Sequence, residues 1–370
     1  MPYPQIDAEK LKVFSLASRK SKSTIEDIVI NPESSPPAID STGNSVIEEI
    51  ARRIISAQKK GAAIMLTFGA HLVKNGGAGI IIKMMEQGWL THLATQGAGG
   101  IHDWEFAFQG CSEEDVRANV ATGTFGTWEE TGKFINLAVQ VGAISGMGYG
   151  ESVGALIAND GLQFPFLEDL KGDISKNLDE HDPLIQAKLE LLETMKKFEI
   201  QPGWLTVSHP FKKYSIFGNA FRSQTPITVH PGIGYDIIYN NPYANGAALG
   251  RGAHIDFKIF VKAVNNLSHG VFLSVGSAIM APQVFEKAVS FANNIRLQTG
   301  QKVHDFYIVI DDLQESVWDW NKGEPPKSSP DYYLRFLKSF YRMGGTVEYV
   351  SLDNRVLLHH LYWKLKDLTG

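Results

Sequence analysis

Short apolar segments alternate with amphipathic helical segments along most of the chain, and this alternation is the strongest constraint on the fold. Residues 62–69 are mostly apolar at both odd and even positions and end at a glycine. This pattern is typical of a strand that is buried on both faces of a parallel sheet. Residues 45–60 place isoleucines at helical spacing, with charged residues on the other face. The repeated order predicts an α/β fold with a Rossmann-like, mainly parallel sheet and helices on both faces.

The remaining predicted elements continue this order. Further strands are predicted at 89–95, 226–238, 270–280, 305–312 and 345–352, and further helices at 72–87, 131–144, 184–198, 257–266, 282–297 and 332–341. The glycine-rich segment 146–152 is predicted to be flexible. Residues 1–42 are polar and proline-rich, so we expect them to bury little surface as an N-terminal arm or linker. Residues 43–370 are then predicted to form one large domain.

Composition excludes several classes of protein. The chain has 35 Lys and Arg against 40 Asp and Glu, a net charge of −5, and no basic block of the kind that binds a phosphate backbone. Cys111 is the single cysteine, so a disulfide or a thiolate metal cluster cannot form within one chain. The start of the chain lacks a signal-peptide pattern, and no apolar run reaches about 18 residues. We therefore expect a soluble, cytoplasmic protein with no nucleic-acid or membrane partner.

Polar and glycine residues follow the first two strands where a parallel sheet binds its ligands, beyond the carboxyl ends of the strands. If the two strands are neighbours, these two ends lie side by side. The second turn does not match G-x-G-x-x-G, because His102 stands where the third glycine belongs, and a tight strand-to-helix connection is the alternative reading. The candidate cofactor-binding residues are Gly69, His71, Asn75 and Gly76 at the first end, and Thr95, Gly97, Ala98, Gly99 and Gly100 at the second.

Three ionisable residues follow the second turn within four positions: His102, Asp103 and Glu105. Burying all three in one loop is costly unless they meet partners or a ligand. His102 is the candidate general base or acid, because the pKa of histidine is readily tuned near neutrality. We expect Asp103 or Glu105 to orient His102 or to hold a substrate ammonium group.

Two later strand ends carry further candidates. His230 and Asp236 are predicted to line the opposite rim of the site; alternatively, Pro and Gly simply build that loop and His230 is a core residue. Asp311 and Asp312 close an apolar strand, where a carboxylate can accept hydrogen bonds from ribose hydroxyls or can cap a helix.

A metal site is an alternative use of the same residues. Zinc, manganese or iron could be held by His102, Asp103, His230 and Asp236, since imidazole and carboxylate suit these ions. No H-x-H or H-E-x-x-H spacing supports that site, so no metal is assigned.

The order and spacing of four segments resemble the deoxyhypusine synthase-like family over roughly residues 61–320. The segments GAHLVKNG (69–76) and TQGAGGIHD (95–103) resemble the family's Ser-Asn with Ser-Ser-Gly and its Thr-Thr-Ala-Gly-Gly followed by acidic residues. HPGIGYD (230–236) and IDDLQES (310–316) resemble its Pro-x-Leu-Thr-Asp-Gly and Asn-Thr segments. The resemblance implies a Rossmann-like NAD-binding fold, NAD as cofactor, transferase chemistry on an amine, and a homotetramer with sites at subunit interfaces.

One departure from the family bears directly on the reaction. Family members oxidise spermidine and capture its aminobutyl group as an imine on a lysine in a Gly-Gly-Gly-x-x-Lys-His-His segment, whereas the matching residues 274–283 here read SVGSAIMAPQ. That segment has no amine that could form the imine.

The sequence therefore predicts a divergent relative without the family lysine. It is predicted to be an NAD-binding enzyme that performs redox-assisted transfer, elimination or hydrolysis on a small polar or amine substrate. The alternatives are a non-catalytic nucleotide or metabolite sensor on the same fold and a metal-dependent hydrolase.

Overall fold

A computed structural model describes residues 3–178, 180 and 182–370. The strands are β1 (Ser23–Thr24), β2 (Ile64–Phe68), β3 (His92–Thr95), β4 (Cys111–Ser112), β5 (Gly161–Phe164), β6 (Gly203–Thr206), β7 (Ile227–Val229), β8 (Val271–Val275), β9 (Tyr307–Asp311) and β10 (Thr346–Val350). The helices are α1 (Ile25–Ile28), α2 (Ser41–Lys59), α3 (Ala70–Lys74), α4 (Ala78–Glu86), α5 (Gly97–Gln109), α6 (Val116–Thr122), α7 (Glu129–Ala143), α8 (Tyr149–Asn159), α9 (Leu167–Lys176), α10 (Ile185–Lys197), α11 (Ile216–Arg222), α12 (Gly246–Asn265), α13 (Met280–Leu297), α14 (Arg335–Tyr341) and α15 (Asn354–Thr369).

The central sheet has six parallel strands in the order β10-β9-β8-β2-β3-β7. Numbered along the chain, this is 3-2-1-4-5-6, the order of the doubly wound Rossmann fold, and it confirms the predicted fold class. The strand order reverses between β2 and β8, where Phe68 pairs with Val275. On its other side Phe68 pairs with Thr95, so the carboxyl ends of β3, β2 and β8 lie level.

Two hydrophobic clusters cover the two faces of the sheet. Strand β2 alternates between them, with Leu66 in one and Met65 in the other. Helix α2 packs on the first face, and helices α12 and α13 pack on the second. All five β2 residues are buried, which explains why the sequence there is apolar on both alternations. None of the helices in the described part of the chain combines the length and the apolar character needed to cross a bilayer.

Some element predictions were wrong for identifiable reasons. The predicted helix 72–87 is divided into α3 and α4, because Gly76 adopts a positive φ of 85° where a Cβ would collide with the carbonyl oxygen of Ile28. The predicted strand 226–238 forms only at β7. Segment 146–152 is not flexible throughout: helix α8 begins at Tyr149, and the carboxylate of Asp256 accepts a hydrogen bond from the Gly150 amide (2.9 Å). Gly150 serves close packing, because a Cβ there would collide with the carbonyl of Ile227.

The N-terminal segment packs on the body of the protein. Leu16 and Ile25 are each about 1% exposed and belong to the main hydrophobic cluster, and β1 pairs antiparallel with β4. The segment therefore buries more than its composition led us to expect. Asp40 caps helix α2, accepting a hydrogen bond from the Gly43 amide (2.7 Å). The domain boundary at residue 42 stays a prediction.

The close approach of β2 and β8 at the strand reversal requires a glycine at position 69. A Cβ on Gly69 would collide with the carbonyl oxygen of Gly276, which is backbone and cannot rotate away. We expect Gly69→Ala to lower the free energy of unfolding by about 1–3 kcal/mol in denaturant melts. The matched control is Gly250→Ala in helix α12, where a Cβ meets nothing within 4 Å and stability should rise by up to about 1 kcal/mol. Equal effects of the two substitutions would contradict this packing argument.

Candidate functional site

Two cavities lie at the carboxyl edge of the sheet, and helix α3 contributes to both. The His102 cavity, of about 240 Å³, is bordered by Lys74, His102, Glu105, Glu113, Glu114 and Asp236, and also by Arg19 and Ala98. The switch-point cavity, of about 210 Å³, is bordered by His71, Asn75, Gly276, Asp312, Asn354 and Arg355. Of the predicted site residues, Ala98, His102, Glu105 and Asp236 border the first cavity and His71, Asn75 and Asp312 border the second, whereas the others border neither.

The glycine-rich turn after β3 is the first turn of helix α5. A Cβ on Gly99 would collide with the side chain of Thr95, whose hydroxyl donates to the carbonyl of Phe68 (2.8 Å). A Cβ on Gly97 would lie 2.5 Å from Oδ1 of Asp236, and one on Gly100 would press on Phe217. Tight packing therefore accounts for these glycines, and the cofactor-binding role predicted for them stays a prediction.

His102, Asp103 and Glu105 lie on helix α5 rather than in a loop. Positions 102 and 105 are three residues apart and share a face of the helix, whereas position 103 is turned about 100° away. The structure accordingly sends His102 and Glu105 to one side and Asp103 to another.

A hydrogen-bond relay fixes the protonation pattern of His102. The Ser112 hydroxyl donates its only proton to Oε2 of Glu105 (2.6 Å), so its oxygen must accept from Nδ1–H of His102 (2.7 Å). In the neutral ring this leaves Nε2 as the unprotonated nitrogen. No described residue hydrogen-bonds Nε2, and the ring borders the cavity. Burial lowers the pKa of His102, which favours the neutral ring.

Glu105 is held by a saturated set of donors. Arg19 donates from Nη1 to Oε1 (2.8 Å) and from Nη2 to Oε2 (2.7 Å), and the Thr131 hydroxyl also donates to Oε1 (2.8 Å). The side chains of Arg19 and Glu105 are 2% and 1% exposed, so this is a fully buried ion pair. Glu105 therefore orients His102 through Ser112.

Asp103 does not take the orienting role considered for it. Its carboxylate accepts from the Ser215 hydroxyl (2.5 Å) and from the amides of Ile216 (2.7 Å) and Phe217 (3.2 Å), at the start of helix α11. It borders neither cavity. Burial raises the pKa of Asp103 to about 6. Asp103 therefore caps the start of helix α11 and links it to helix α5.

Of the pair predicted for the opposite rim, only Asp236 borders the His102 cavity; it accepts from the amide of Gly232 (2.7 Å). His230 lies in the core, with Nε2 3.1 Å from the Thr228 hydroxyl and its ring packed edge-on against Phe260. Burial lowers the pKa of His230 to about 4. These contacts agree with the alternative interpretation, in which His230 is a core residue.

The metal site drawn from four residues is not assembled. Asp103 caps α11 and His230 faces Phe260, so neither shares a cavity with His102 and Asp236. Within residues 3–178, 180 and 182–370, the side chains of His102, Asp103, His230 and Asp236 do not come close enough together to bind one metal ion.

Two buried side-chain oxygens near the end of β9 have no partner among the described residues, and one of them, on Asn354, belongs to a residue that borders the switch-point cavity. Asp311 accepts from the Leu352 amide through Oδ1 (3.2 Å), while its Oδ2 has no partner among the described residues; Oδ1 of Asn354 is also buried and unpaired there. Burial raises the pKa of Asp311 to about 8. Asp312 accepts from the Gln314 amide (3.1 Å) in a turn, and no helix starts there, so the helix-cap alternative is wrong.

Several site residues were missed by the sequence reading. Arg19 comes from the segment read as an arm, and nothing in its local pattern marks it. Ser112 lies on β4, and Glu113 after it has a positive φ of 68° and accepts from Nζ of Lys74 (2.7 Å). The spacing of Glu105 from His102 was the one signal that could have separated Glu105 from Asp103.

No protein-family model matches the chain, and no curated protein sequence matches it. Among solved structures, AgrE in its ternary complex with ornithine and NAD⁺ is 14% identical with a TM-score of 0.42, over 90% of this chain and 34% of that one. A LOR/SDH protein from Methanococcus maripaludis S2 is 14% identical, with a TM-score of 0.45 over 92% and 74% of the two chains. A protein from Entamoeba histolytica assigned as a deoxyhypusine synthase is 8% identical, with a TM-score of 0.39 over 90% of each chain.

This chain spans about a third of the length of AgrE. Identities and TM-scores this low carry no inference about activity. The Rossmann-like fold class rests on the strand order, and the roles of individual residues rest on the contacts described above.

Breaking the buried ion pair tests its importance for the site. We expect Arg19→Met to lower the free energy of unfolding by about 3–5 kcal/mol, because Glu105 would stay buried without its counter-charge. The double variant Arg19→Met, Glu105→Gln should recover part of that loss. The control Arg53→Met breaks an exposed pair with Glu49 and should change stability by less than about 1 kcal/mol. Denaturant titrations of the unmodified chain and the three variants measure these changes, and a loss in Arg19→Met no greater than that in Arg53→Met would contradict the assignment.

The protonation of Asp236 gives a pH-dependent prediction. Burial raises its pKa from 3.8 to about 6, so the folded chain keeps a proton that the unfolded chain releases. The protonated Asp236 side chain therefore stabilises the fold relative to the ionised one. This contribution is fully present below about pH 4 and is lost as the pH rises through about 6. Relative to the unmodified chain, we expect Asp236→Asn to gain up to about 3 kcal/mol between pH 4 and pH 7. The control Asp367→Asn, at an exposed site on α15, should show no such gain; a flat difference for Asp236→Asn would be the contrary result.

Proposed function

We propose that this chain is an enzyme that binds a nicotinamide dinucleotide and acts on a small amine substrate, with His102 as general base. The observation that carries the proposal is the relay from Glu105 through Ser112, which leaves Nε2 of His102 unprotonated at the cavity. A neutral imidazole with an oriented, free nitrogen is suited to removing a proton from a bound substrate.

The charges of the His102 cavity favour a cationic substrate. Arg19 is committed to Glu105, and Lys74 is committed to Glu113. Glu114 and Asp236 also border the cavity and have no cationic partner among the described residues, so an ammonium group would find carboxyl oxygens there. The volume of about 240 Å³ lies below the range of about 300–1,000 Å³ that is usual for drug-sized ligands. The substrate is therefore a small molecule.

The fit of a dinucleotide differs between the two sites. At the start of helix α5, the carboxylate of Asp236 already lies against Gly97, so a pyrophosphate does not fit there while Asp236 is ionised. At the strand reversal, Oδ1 of Asn354 has no partner among the described residues and can accept a hydrogen bond from a ribose hydroxyl. Oδ2 of Asp311 is buried near the end of β9 and also has no partner among the described residues. His71, Asn75 and Asp312 border the same cavity as Asn354, and its volume of about 210 Å³ is too small for a whole dinucleotide, so we place one ribose of the cofactor there. When bound, a nicotinamide dinucleotide supplies a hydride acceptor.

The chain's own residues act on the proton and on the substrate's orientation. Nε2 of His102 takes a proton from the substrate nitrogen, and Ser112 with Glu105 stabilises the resulting imidazolium. Asp236 and Glu114 hold a positively charged end of the substrate. A covalent imine is not part of this scheme, since residues 274–283 contain no lysine and Lys74 is ion-paired with Glu113. The homotetramer and the cytoplasmic location stay predictions.

Calorimetric titration with NAD, NADH and NADP, followed by an amine screen read at the reduced-nicotinamide absorbance, tests the proposal. We expect His102→Gln to reduce turnover by about 10²–10⁴-fold, since it removes the base, while dinucleotide affinity stays within about threefold. Asn354→Leu should weaken dinucleotide binding by about tenfold or more, because it removes one of the ribose acceptors. Asn294→Leu, at an exposed position on α13, is the matched control and should change neither.

Two outcomes would contradict the proposal. If the unmodified chain binds none of the three dinucleotides, the cofactor assignment is wrong. If it binds one of them but turns over no amine, the chain is a sensor on this fold and His102 is not a base.

A further inference from the structure

A cluster of two histidines and one aspartate lies at the edge of the sheet opposite the two cavities. His269 comes just before β8, and His304 with Asp305 comes just before β9. One ligand atom from each residue lies within 4.8 Å of the other two. We propose that these three residues form a surface binding site for a divalent transition-metal ion of the zinc type.

The donor atoms and their spacing fit such an ion. Zinc binds imidazole nitrogen and carboxylate oxygen at about 2.0–2.2 Å, which places neighbouring ligand atoms about 3.3 Å apart in a tetrahedral site. Oδ2 of Asp305 lies 2.9 Å from Nδ1 of His304 and 3.9 Å from Nδ1 of His269. The two imidazole rings are nearly perpendicular, with centroids 5.0 Å apart. Each pair of donor atoms lies within 4.8 Å, so small side-chain rotations would bring the three donors onto one ion.

The backbone holds the three residues in place. The amide of His269 donates to the carbonyl oxygen of His304 (3.3 Å), and the amide of His304 donates to the hydroxyl of Ser268 (3.3 Å). His269 and Asp305 both adopt positive φ values, 63° and 53°. Left-handed backbone is unfavourable for most residues other than glycine, although Asn, Asp and His adopt it several-fold more often than other side chains. His269 and Asp305 therefore suit the backbone that the loops before β8 and β9 adopt.

The site is independent of the proposed active site. Parallel strands begin at this edge and end at the other, so the metal ligands and His102 lie at opposite edges of the sheet. Both histidines are close to half exposed and Asp305 is 72% exposed, which leaves coordination positions for water or a fourth ligand. A bound ion would join the start of β8 to the start of β9.

Titration of the full chain with Zn²⁺ against a chromogenic chelator tests the proposal. We expect one Zn²⁺ per chain, with affinity reduced at least about tenfold in His269→Ala and in His304→Ala, because each loses one of three ligands. His254→Ala removes another exposed histidine, on α12, and should bind like the unmodified chain. Equal Zn²⁺ binding by the unmodified chain and by the double variant His269→Ala, His304→Ala would overturn the proposal.

The variant Asp305→Gly separates metal binding from backbone strain. Glycine accepts the positive φ, so the metal-free variant should be at least as stable as the unmodified chain in thermal melts. Without the carboxylate, its affinity for Zn²⁺ should fall, and Zn²⁺ should raise its Tm less than that of the unmodified chain. If Zn²⁺ raises both Tm values equally, Asp305 is not a ligand and the three-residue site is wrong.

Discussion

The buried pair of Arg19 and Glu105 is the interaction on which the arrangement of the candidate site depends. It joins the N-terminal segment to helix α5 through a guanidinium and a carboxylate that are both buried inside the protein. The same carboxylate accepts the only hydroxyl proton of Ser112, and this sets which nitrogen of His102 carries a proton. One ion pair therefore links the packing of the first 30 residues to the chemistry proposed at the sheet edge.

The doubly wound topology explains why the site lies where it does. Strand order reverses between β2 and β8, so the connections after these strands run to opposite faces and leave space at the carboxyl edge. Helix α3, which follows β2 directly, borders that space on both sides, with Lys74 facing one cavity and His71 and Asn75 facing the other. Two cavities on either side of one short helix are a direct consequence of this order.

The fold class could be predicted from sequence because it depends on hydrophobic periodicity, which β2 and α2 show clearly. The position of His102 after β3 could also be predicted, since strand ends are local features. Glu105 was one of two residues predicted to orient His102, whereas Ser112 and Arg19 could not be predicted. Arg19 lies 86 positions before Glu105, and only tertiary packing brings them together. Asp103 and His230 had suitable chemistry, yet one turned to α11 and the other to Phe260, because burial and helical rotation decide which side chains face a cavity.

The proposed role of His102 requires a neutral ring near pH 7, with the proton on Nδ1 and with Nε2 free. Nitrogen-15 NMR of imidazole-labelled protein, with His102→Gln used to assign the resonance, measures this directly. We expect a protonated Nδ1, an unprotonated Nε2, and a pKa for His102 below that of a free histidine. A proton on Nε2 at neutral pH, or a pKa raised above the free value, would contradict it.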